Sequence, residues 1–373
     1  MRKFRTVYMR GGTSKGCFFR KADLPENREE WDHIFLQVMG SPDPKQIDGM
    51  GGCVSSNNKI VVVSKSDKTG VDVDYLVGQV AVGKNRVDYG ANCGNMTAGV
   101  PLYAVQEGLV SVKEPKTTVH MHNLNTGSRI DADVIIDPET HEPALDGDCR
   151  IAGVDGTDAP IDLSFMDPEG SKTGKLFPTG NAADEIEIEG SGRIKVSVID
   201  VMNPLVLVRA EDIGLKGTEL PEEMNADSRA MSLLEEIRGT VCCMMGMASD
   251  LHDAKENSPG VPKIGVFALP KDYRDIAGNM VKAEEADLCV RVLSVLKCHK
   301  ACPLTAAGAI ASLAKIDGTV VSQAGIRCED KVRIAHPSGV MDVMVETEHT
   351  SVRAVHAVRT ARRIMDGTVY IKE

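Results

Sequence analysis

Three short segments of this chain set reactive or anion-binding side chains among small residues. The first is Asp88-Tyr89-Gly90-Ala91-Asn92-Cys93-Gly94-Asn95-Met96, where a cysteine stands immediately before the start of an expected helix. Backbone N–H groups of a first helical turn are unpaired and carry partial positive charge, so those of Gly94, Asn95 and Met96 can hold a carboxylate or a developing enolate. The same field favours a thiolate, and a thiol so placed can give or take a proton at a carbon bearing a carboxylate. A plainer reading makes Cys93 a small buried hydrophobe that happens to precede a helix. Cysteine is an uncommon choice where Ser, Thr, Asp and Asn lead, which favours the chemical reading.

The second segment is the Gly- and Ser-rich run Gly49-Met50-Gly51-Gly52-Cys53-Val54-Ser55-Ser56-Asn57-Asn58-Lys59, leading into Ile60-Val63. A lysine at the mouth of an apolar strand can be partly desolvated, which favours the neutral amine that acts as a base. A surface lysine at a strand end fits the same pattern. The third segment, Met9-Arg10-Gly11-Gly12-Thr13-Ser14-Lys15-Gly16, follows the strand Phe4-Met9. Gly12, Thr13 and Gly16 allow close backbone approach to an anion, and Ser14 can donate to a carboxylate. The GxxxxGK[ST] spacing is absent, so this is no nucleotide loop. Cys298, His299 and Cys302 have a zinc-like local spacing, but no second ligand pair sits at a suitable distance in sequence, and no metal is expected. His336-Pro337-Ser338-Gly339 reads as a turn between strands, where a structural role for His336 is at least as good as a catalytic one.

The elements that position these residues are mostly strands. Ile60-Val63, the alternating stretch Val71 to Val82, Val134-Ile136, Ile194-Val201, Leu205-Val208, Ile264-Leu269 and Val340-Val345 all carry strand signals, separated by turns such as Asn125-Thr126-Gly127. Two expected helices, Gly94 to about Glu107 and Thr305 to about Lys315, are rich in small residues and apolar nearly all round, so both should be buried. Glu29 to Met39, Asn225 to Arg238 and Ala283 to Leu296 mix charge with apolar residues and read as surface helices. Laying Cys93-Gly94-Asn95-Met96-Thr97-Ala98-Gly99 over Cys302-Pro303-Leu304-Thr305-Ala306-Ala307-Gly308 matches the cysteine and the Ala-Gly pair, a hint of internal duplication.

At 373 residues the chain exceeds the usual size of one hydrophobic core, so two domains are expected. The boundaries read as a lobe over residues 1–182, to which residues 355–373 return, and a second lobe over 183–354. With 54 acidic against 43 basic residues, the net charge of −11 argues against nucleic acid as a partner. The basic start Met1 to Arg10 holds no signal-like apolar run, and no window approaches a membrane span, so a cytoplasmic location is expected. Ten cysteines in a chain of this kind read as reduced thiols.

Taken together, the ordered segments resemble the PrpF family. The likeness runs through Met9-Arg10-Gly11-Gly12-Thr13-Ser14-Lys15-Gly16, Asn92-Cys93-Gly94-Asn95-Met96 and His122-Asn123-Leu124-Asn125-Thr126. It continues through Asn203-Pro204, His299-Lys300-Ala301, His336-Pro337-Ser338-Gly339 and Arg359-Thr360-Ala361-Arg362-Arg363. The resemblance implies an α+β fold similar to diaminopimelate epimerase, with two pseudo-symmetric lobes, each a curved mixed sheet wrapped around a buried helix, and the active site between the lobes. It implies a 1,3-allylic proton shift on a small unsaturated di- or tricarboxylate such as methylitaconate, 2-methylaconitate or 4-oxalomesaconate, without metal or organic cofactor. Lys59 and Cys93 take the family's catalytic positions and Ser14 its substrate-anchoring serine. In the same scheme Thr13, the N–H groups of Gly94, Asn95 and Met96, and Lys300 and Thr305 contact the substrate. One departure is Cys302, at a position usually aromatic in the family, which leaves a two-cysteine amino-acid epimerase as an alternative; a non-catalytic carboxylate binder is another. Self-association into a homo-oligomer is left open.

Overall fold

The computed structural model describes every residue except Ala91, Asn92, Val295, Glu329, Asp330 and Glu373, together with the side chain of Ser294. Two residues of the Asp88–Met96 segment therefore lie outside the described residues. The chain divides into two compact units, one of Met1–Ser164 with Val358–Glu373 and one of Phe165–Ala357.

The chain begins with β1 (Arg2–Gly11), β2 (Ser14–Arg20), α1 (Glu30–Met39), β3 (Lys59–Lys65), β4 (Val73–Val80) and β5 (Val87–Asp88). There follow α2 (Gly94–Thr97), α3 (Gly99–Gln106), β6 (Lys116–Asn123), β7 (Arg129–Ile135) and β8 (Ile161–Met166). Next come β9 (Asp184–Ile188), β10 (Gly192–Val201), β11 (Asn203–Arg209), α4 (Pro221–Ala226), α5 (Ser228–Met244), α6 (Leu251–Asn257) and β12 (Lys263–Ala268). The last part holds β13 (Tyr273–Arg274), β14 (Met280–Val281), β15 (Leu288–Ser294), β16 (Lys297–Cys298), α7 (Leu304–Lys315) and α8 (Val320–Gln323). It closes with β17 (Lys331–His336), β18 (Gly339–Glu348), β19 (Ser351–Arg359) and β20 (Ala361–Ile371).

In the first unit β1 is antiparallel to both β2 and β20, β2 runs parallel to β3, and β3 is antiparallel to β4. β4 then runs parallel to β6, which is antiparallel to β7, while the short β5 pairs with the end of β4. Alternation along β2 serves both faces. Cys17 and Phe19 join the core formed with Trp31, Ile34, Phe35, Val38 and Met39, the apolar stripe of α1. Phe18 turns the other way and lies 5.4 Å from the ring of Tyr103 on α3. Burial there is complete: Val100 to Val105 of α3 are all inside.

The helix expected from Gly94 to Glu107 is present but interrupted at Ala98. Pro101 explains the interruption, because it has no N–H to give the Thr97 carbonyl and its ring crowds the preceding turn. At its far end α3 is closed by Glu107, a buried carboxylate gripped by Arg5 of β1 at 2.5 Å and Arg363 of β20 at 3.0 Å, with Arg20 of β2 at 3.4 Å. Burial alone would push this carboxyl up, but the hydrogen bonds and charges of Arg5 and Arg363 outweigh it and hold the group below its ordinary value.

The second unit repeats the pairing sequence of the first. β10–β11 is antiparallel, β11–β12 parallel, β12–β15 antiparallel, β15–β17 parallel and β17–β18 antiparallel, with the short β16 on the end of β15 before the helix α7. The third strand of each series, β3 and β12, opens on a lysine, Lys59 or Lys263. The Ala-Gly match between the buried helices also has a packing reason. A Cβ on Gly99 would lie 2.7 Å from the Phe18 ring, and one on Gly308 would lie 2.6 Å from the Met202 sulfur. Each unit is a mixed sheet built against a buried helix, the α+β arrangement expected.

Two stretches differ from expectation. Ala283 to Leu296 is no helix: a 3-10 turn at Ala283–Glu285 leads into β15, whose Leu288, Val290 and Val292 point to one face and Cys289, Arg291 and Leu293 to the other, all buried. Burial on both faces produces an apolar run that mimics a helix, and β-branched Val290 and Val292 decide for the strand. The helix expected from Asn225 to Arg238 is broken at Asp227, which ends α4 and caps α5 by accepting from the Ala230 N–H at 2.9 Å, and α5 extends past Arg238 to Met244, where Val241 and Cys242 continue its buried stripe.

Candidate active site

The turn between β1 and β2 carries Thr13 and Ser14, two of the residues singled out from the sequence. Gly12 adopts φ +50°, and a Cβ there would press on the Asn95 side chain, its Cγ at 3.0 Å, so backbone conformation and space together favour glycine. The Gly12 N–H donates to the Thr360 carbonyl at 2.9 Å, and Arg10 donates to the Gly12 carbonyl at 2.9 Å and to Asp158 at 2.7 Å. Burial pulls the Arg10 guanidinium below its ordinary value despite the Asp158 carboxylate. Ser14, paired with Gly11, opens β2 and is buried. Thr13 is half-buried, and its hydroxyl accepts a hydrogen bond from the Asn95 amide at 2.9 Å.

Cys93 sits at the N-cap of α2 with extended backbone, φ −114° and ψ 98°. Its carbonyl accepts from the Thr97 N–H at 3.0 Å and hydroxyl at 3.2 Å, while its side chain makes no capping bond. The thiol of a half-buried cysteine is therefore not committed to closing the helix. Gly94 and Met96 are buried and Asn95 half-buried, and a Cβ on Gly11 would lie 3.1 Å from the Met96 Cα, so the β1–β2 turn packs directly on this helical tip. The segment leading to Cys93 is tied down by Asn125, whose amide accepts from the Val77 N–H at 2.9 Å and donates to the Val77 carbonyl at 2.8 Å and the Tyr89 carbonyl at 2.9 Å.

Lys59 opens β3 with Gly16 of β2 beside it on one side and Gln79 of β4 on the other. Its amine donates to the Gln79 side-chain oxygen, and it is half-buried. The loop before it is folded by Asn58, whose buried amide donates to the Gly52 carbonyl and to the Val54 carbonyl at 2.8 Å. Thr13, Ser14, Lys59 and the Gly94–Met96 tip thus share one end of the first unit through the β1–β2 turn and the β2–β3 register.

Lys300 and Thr305 belong to the second unit. Lys300 is exposed after β16, with its carbonyl accepting from Ser338 at 2.5 Å, and Thr305 is a buried residue of the first turn of α7. Cys302 precedes the N-cap Pro303, whereas Cys93 is itself the N-cap, so the two cysteines are offset by one residue relative to their helices. Among the described residues no three His, Cys, Asp or Glu side chains form a group that could hold a metal, and Cys298, His299 and Cys302 are not such a group. The His336 ring accepts from the Ser338 N–H at 3.1 Å, a turn-forming role. All ten cysteines are free; burial pushes the Cys17 thiol up to about 12 and that of Cys298 up to about 11, marking both as inert core residues. Among the described residues no helix is long and apolar enough to cross a membrane.

Gln79, whose side chain meets the Lys59 amine, is not singled out by the sequence, and Asn125 reads there only as a turn and motif residue, without its clamp on Val77 and Tyr89. Gln79 showed only as a polar position in an alternating strand, and its partner depends on a strand register that sequence does not give.

The chain resembles known proteins along its length. It is 42% identical over 370 residues to "Putative isomerase YraM" of Bacillus subtilis, covering 99% of this chain and 98% of that one. It is 40% identical to the 3-methylitaconate isomerase of Eubacterium barkeri, covering 98% and 97%, and 41% identical to the 2-methyl-aconitate isomerase of Shewanella oneidensis, covering 99% and 97%. Among solved structures, that of a methylitaconate-delta-isomerase superposes with a TM-score of 0.87 at 40% identity, covering 99% of this chain and 96% of the other. A hydroxyproline epimerase superposes at 0.55 with 13% identity over 99% and 92% of the two chains, a likeness of fold alone. The family model described as "PrpF protein" matches residues 1–372, and with the β1–β2 turn, the lysine at the head of β3 and the cysteine-capped helix all in place, the chain belongs to the PrpF family.

Proposed function

We propose that this isomerase moves a proton across three carbons of a small unsaturated di- or tricarboxylate, relocating or re-forming its double bond without a cofactor. The observation that carries the reading is Lys59, an amine at the head of a buried strand whose side-chain partner is a neutral amide, beside a turn and a helical tip rich in anion donors. Lys59 removes the allylic proton, and the electron pair spreads over the double bond and the adjacent carboxylate as a dienolate. Return of a proton to the far carbon completes the shift. Cys93 is the opposing acid/base group. The N–H groups of Gly94, Asn95 and Met96 stabilise the carboxylate and the dienolate charge, and Thr13 and Ser14 donate to the substrate. Lys300 and Thr305 are read as anion contacts of the second unit. 3-Methylitaconate, 2-methylaconitate and 4-oxalomesaconate are the substrates this reading selects, as free molecules in the cytoplasm, with neither nucleic acid nor membrane as a partner.

Incubation with each of the three acids in deuterated water, followed by NMR, tests the reading. The expected result is isomerised product carrying deuterium at the reprotonated carbon, abolished by Lys59→Met in a folded protein. Full turnover by Lys59→Met, or turnover lost on chelation and restored only by zinc, overturns it.

A further inference from the structure

We propose that Gln79 is a positioning residue for Lys59, holding the amine in place through a neutral contact that leaves it able to lose and regain a proton. The inference rests on the reading of Lys59 as the base. Lys59 and Gln79 face each other in the β3–β4 register, and the Lys59 amine donates to the Gln79 amide oxygen. The amide nitrogen faces three backbone carbonyls, those of Ser55 at 3.2 Å, Asn58 at 3.1 Å and Val80 at 3.0 Å. A flipped amide would aim its oxygen at those acceptors and its nitrogen at a cation, so the orientation is fixed by what surrounds it. Two of those carbonyls belong to the loop that delivers Lys59. The same side chain therefore sets both the loop and the amine it carries.

The chemical identity of the partner matters as much as its place. A carboxylate at position 79 would meet the ammonium as an ion pair and hold it charged, which disables a base near neutral pH. Glutamine gives the hydrogen bond without the charge. Titratable side chains on the strands and loop next to Lys59 are engaged elsewhere or open to solvent, and Cys93 is the group proposed to face it across the substrate. On β2 the Lys15 amine lies over the Tyr8 ring at 5.8 Å, and on β5 Asp88, opposite Gln79, accepts from the Gly90 N–H at 2.7 Å. On the loop the Cys53 thiol is exposed. Among the described residues no carboxylate makes an ion pair with Lys59.

The test uses Gln79→Glu and Gln79→Met in the full chain, with two readouts. One is the pH profile of kcat/KM for whichever of the three acids is turned over. The other is acetylation of Lys59 by acetic anhydride across pH, read by peptide mass spectrometry, which reports the charge of the amine without turnover. Gln79→Glu should move both profiles to higher pH by about one unit or more. Gln79→Met, which withdraws the acceptor, should move the acetylation profile to lower pH and reduce kcat about tenfold through loss of positioning. Opposite shifts of this kind are not produced by a merely structural residue. Profiles that superpose on the parent protein for both variants overturn the inference, and should Gln79→Glu fail to fold, Gln79→Met decides alone. Turnover retained by Lys59→Met sinks the base reading itself. Inactive Lys59→Met beside unmoved Gln79 profiles sinks only the role of Gln79.

Discussion

Gly16→Ala is the most incisive probe of how Lys59 is placed. Gly16 lies beside Lys59 in the parallel β2–β3 register, and a Cβ there would come within 2.6 Å of the Lys59 carbonyl carbon and 2.8 Å of its Cβ. The nearest atom of all is the Lys59 carbonyl oxygen, and restoring an ordinary contact to it makes the head of β3 retreat by about 1 Å or slightly more. The obstacle is backbone, and no flexible side chain can swing aside to absorb it. Overpacking of this kind costs about 1–3 kcal/mol, which in a unit of this size lowers the thermal midpoint by several degrees and leaves a folded protein. A misplacement near 1 Å at the reacting group costs about 100-fold in rate. We expect kcat for the cognate acid to fall about 100-fold with KM changed much less, because the substrate carboxylates are held by groups that do not move. Steady-state kinetics beside calorimetry reads both quantities. Near-normal kcat in a variant that has lost several degrees of stability would refute the reasoning, since the strand would then have shifted without cost to catalysis.

Cys93→Ala should lower the rate by at least ~100-fold if the thiol transfers a proton, and near-normal rates would leave a one-base mechanism resting on Lys59. Ser14→Ala should raise KM about 10- to 100-fold with kcat nearly constant, the loss of one hydrogen bond to a charged group, read by initial rates. The Glu107 carboxyl is held below its ordinary value in the folded state, so its contribution to stability is complete above the usual glutamate range and fades as the pH falls through its lowered folded value. Denaturant midpoints should therefore drop in acid for the parent protein, whereas Glu107→Gln, losing charge-assisted hydrogen bonds to partly exposed arginines, should begin about 2 kcal/mol less stable near neutrality and show a flatter acid limb. Parallel acid limbs for the two proteins would remove Glu107 from the account.

The parts of the fold that were legible in sequence are those with one decisive local signal. Val100 to Val105 and Thr305 to Ala314 have no polar face, so their burial could be inferred directly. Cys93 stood out because its residue type is wrong for an N-cap. β15 was misread because a strand buried on both faces loses its alternation, and the break at Ala98 was missed although Pro101 announces it three residues later. The placement of Lys59 was half-readable: the glycine-rich loop and the apolar run mark a strand head. Its neighbours Gly16 and Gln79 are 43 residues before it and 20 after it, and only pairing register brings them together. Asn125 likewise reads as a turn residue, yet its amide also clamps the Val77 and Tyr89 backbone.

The buried helix pair of the first unit is fastened at both ends by the same strands. β1 presses Gly11 against the tip at Asn95 and Met96 and sends Arg5 to Glu107 at the far end, where Arg20 of β2 and Arg363 of β20 join it. Helix ends ordinarily fray, and amide protons there exchange with solvent through small local openings. Here the tip cannot loosen unless β1 leaves the sheet. The amide protons of Thr97 and Ala98, bonded to the Cys93 and Asn95 carbonyls, should accordingly exchange as slowly as those in the middle of β3, by whole-unit opening alone, so that the helical tip persists intact up to the point of unfolding and then vanishes at once.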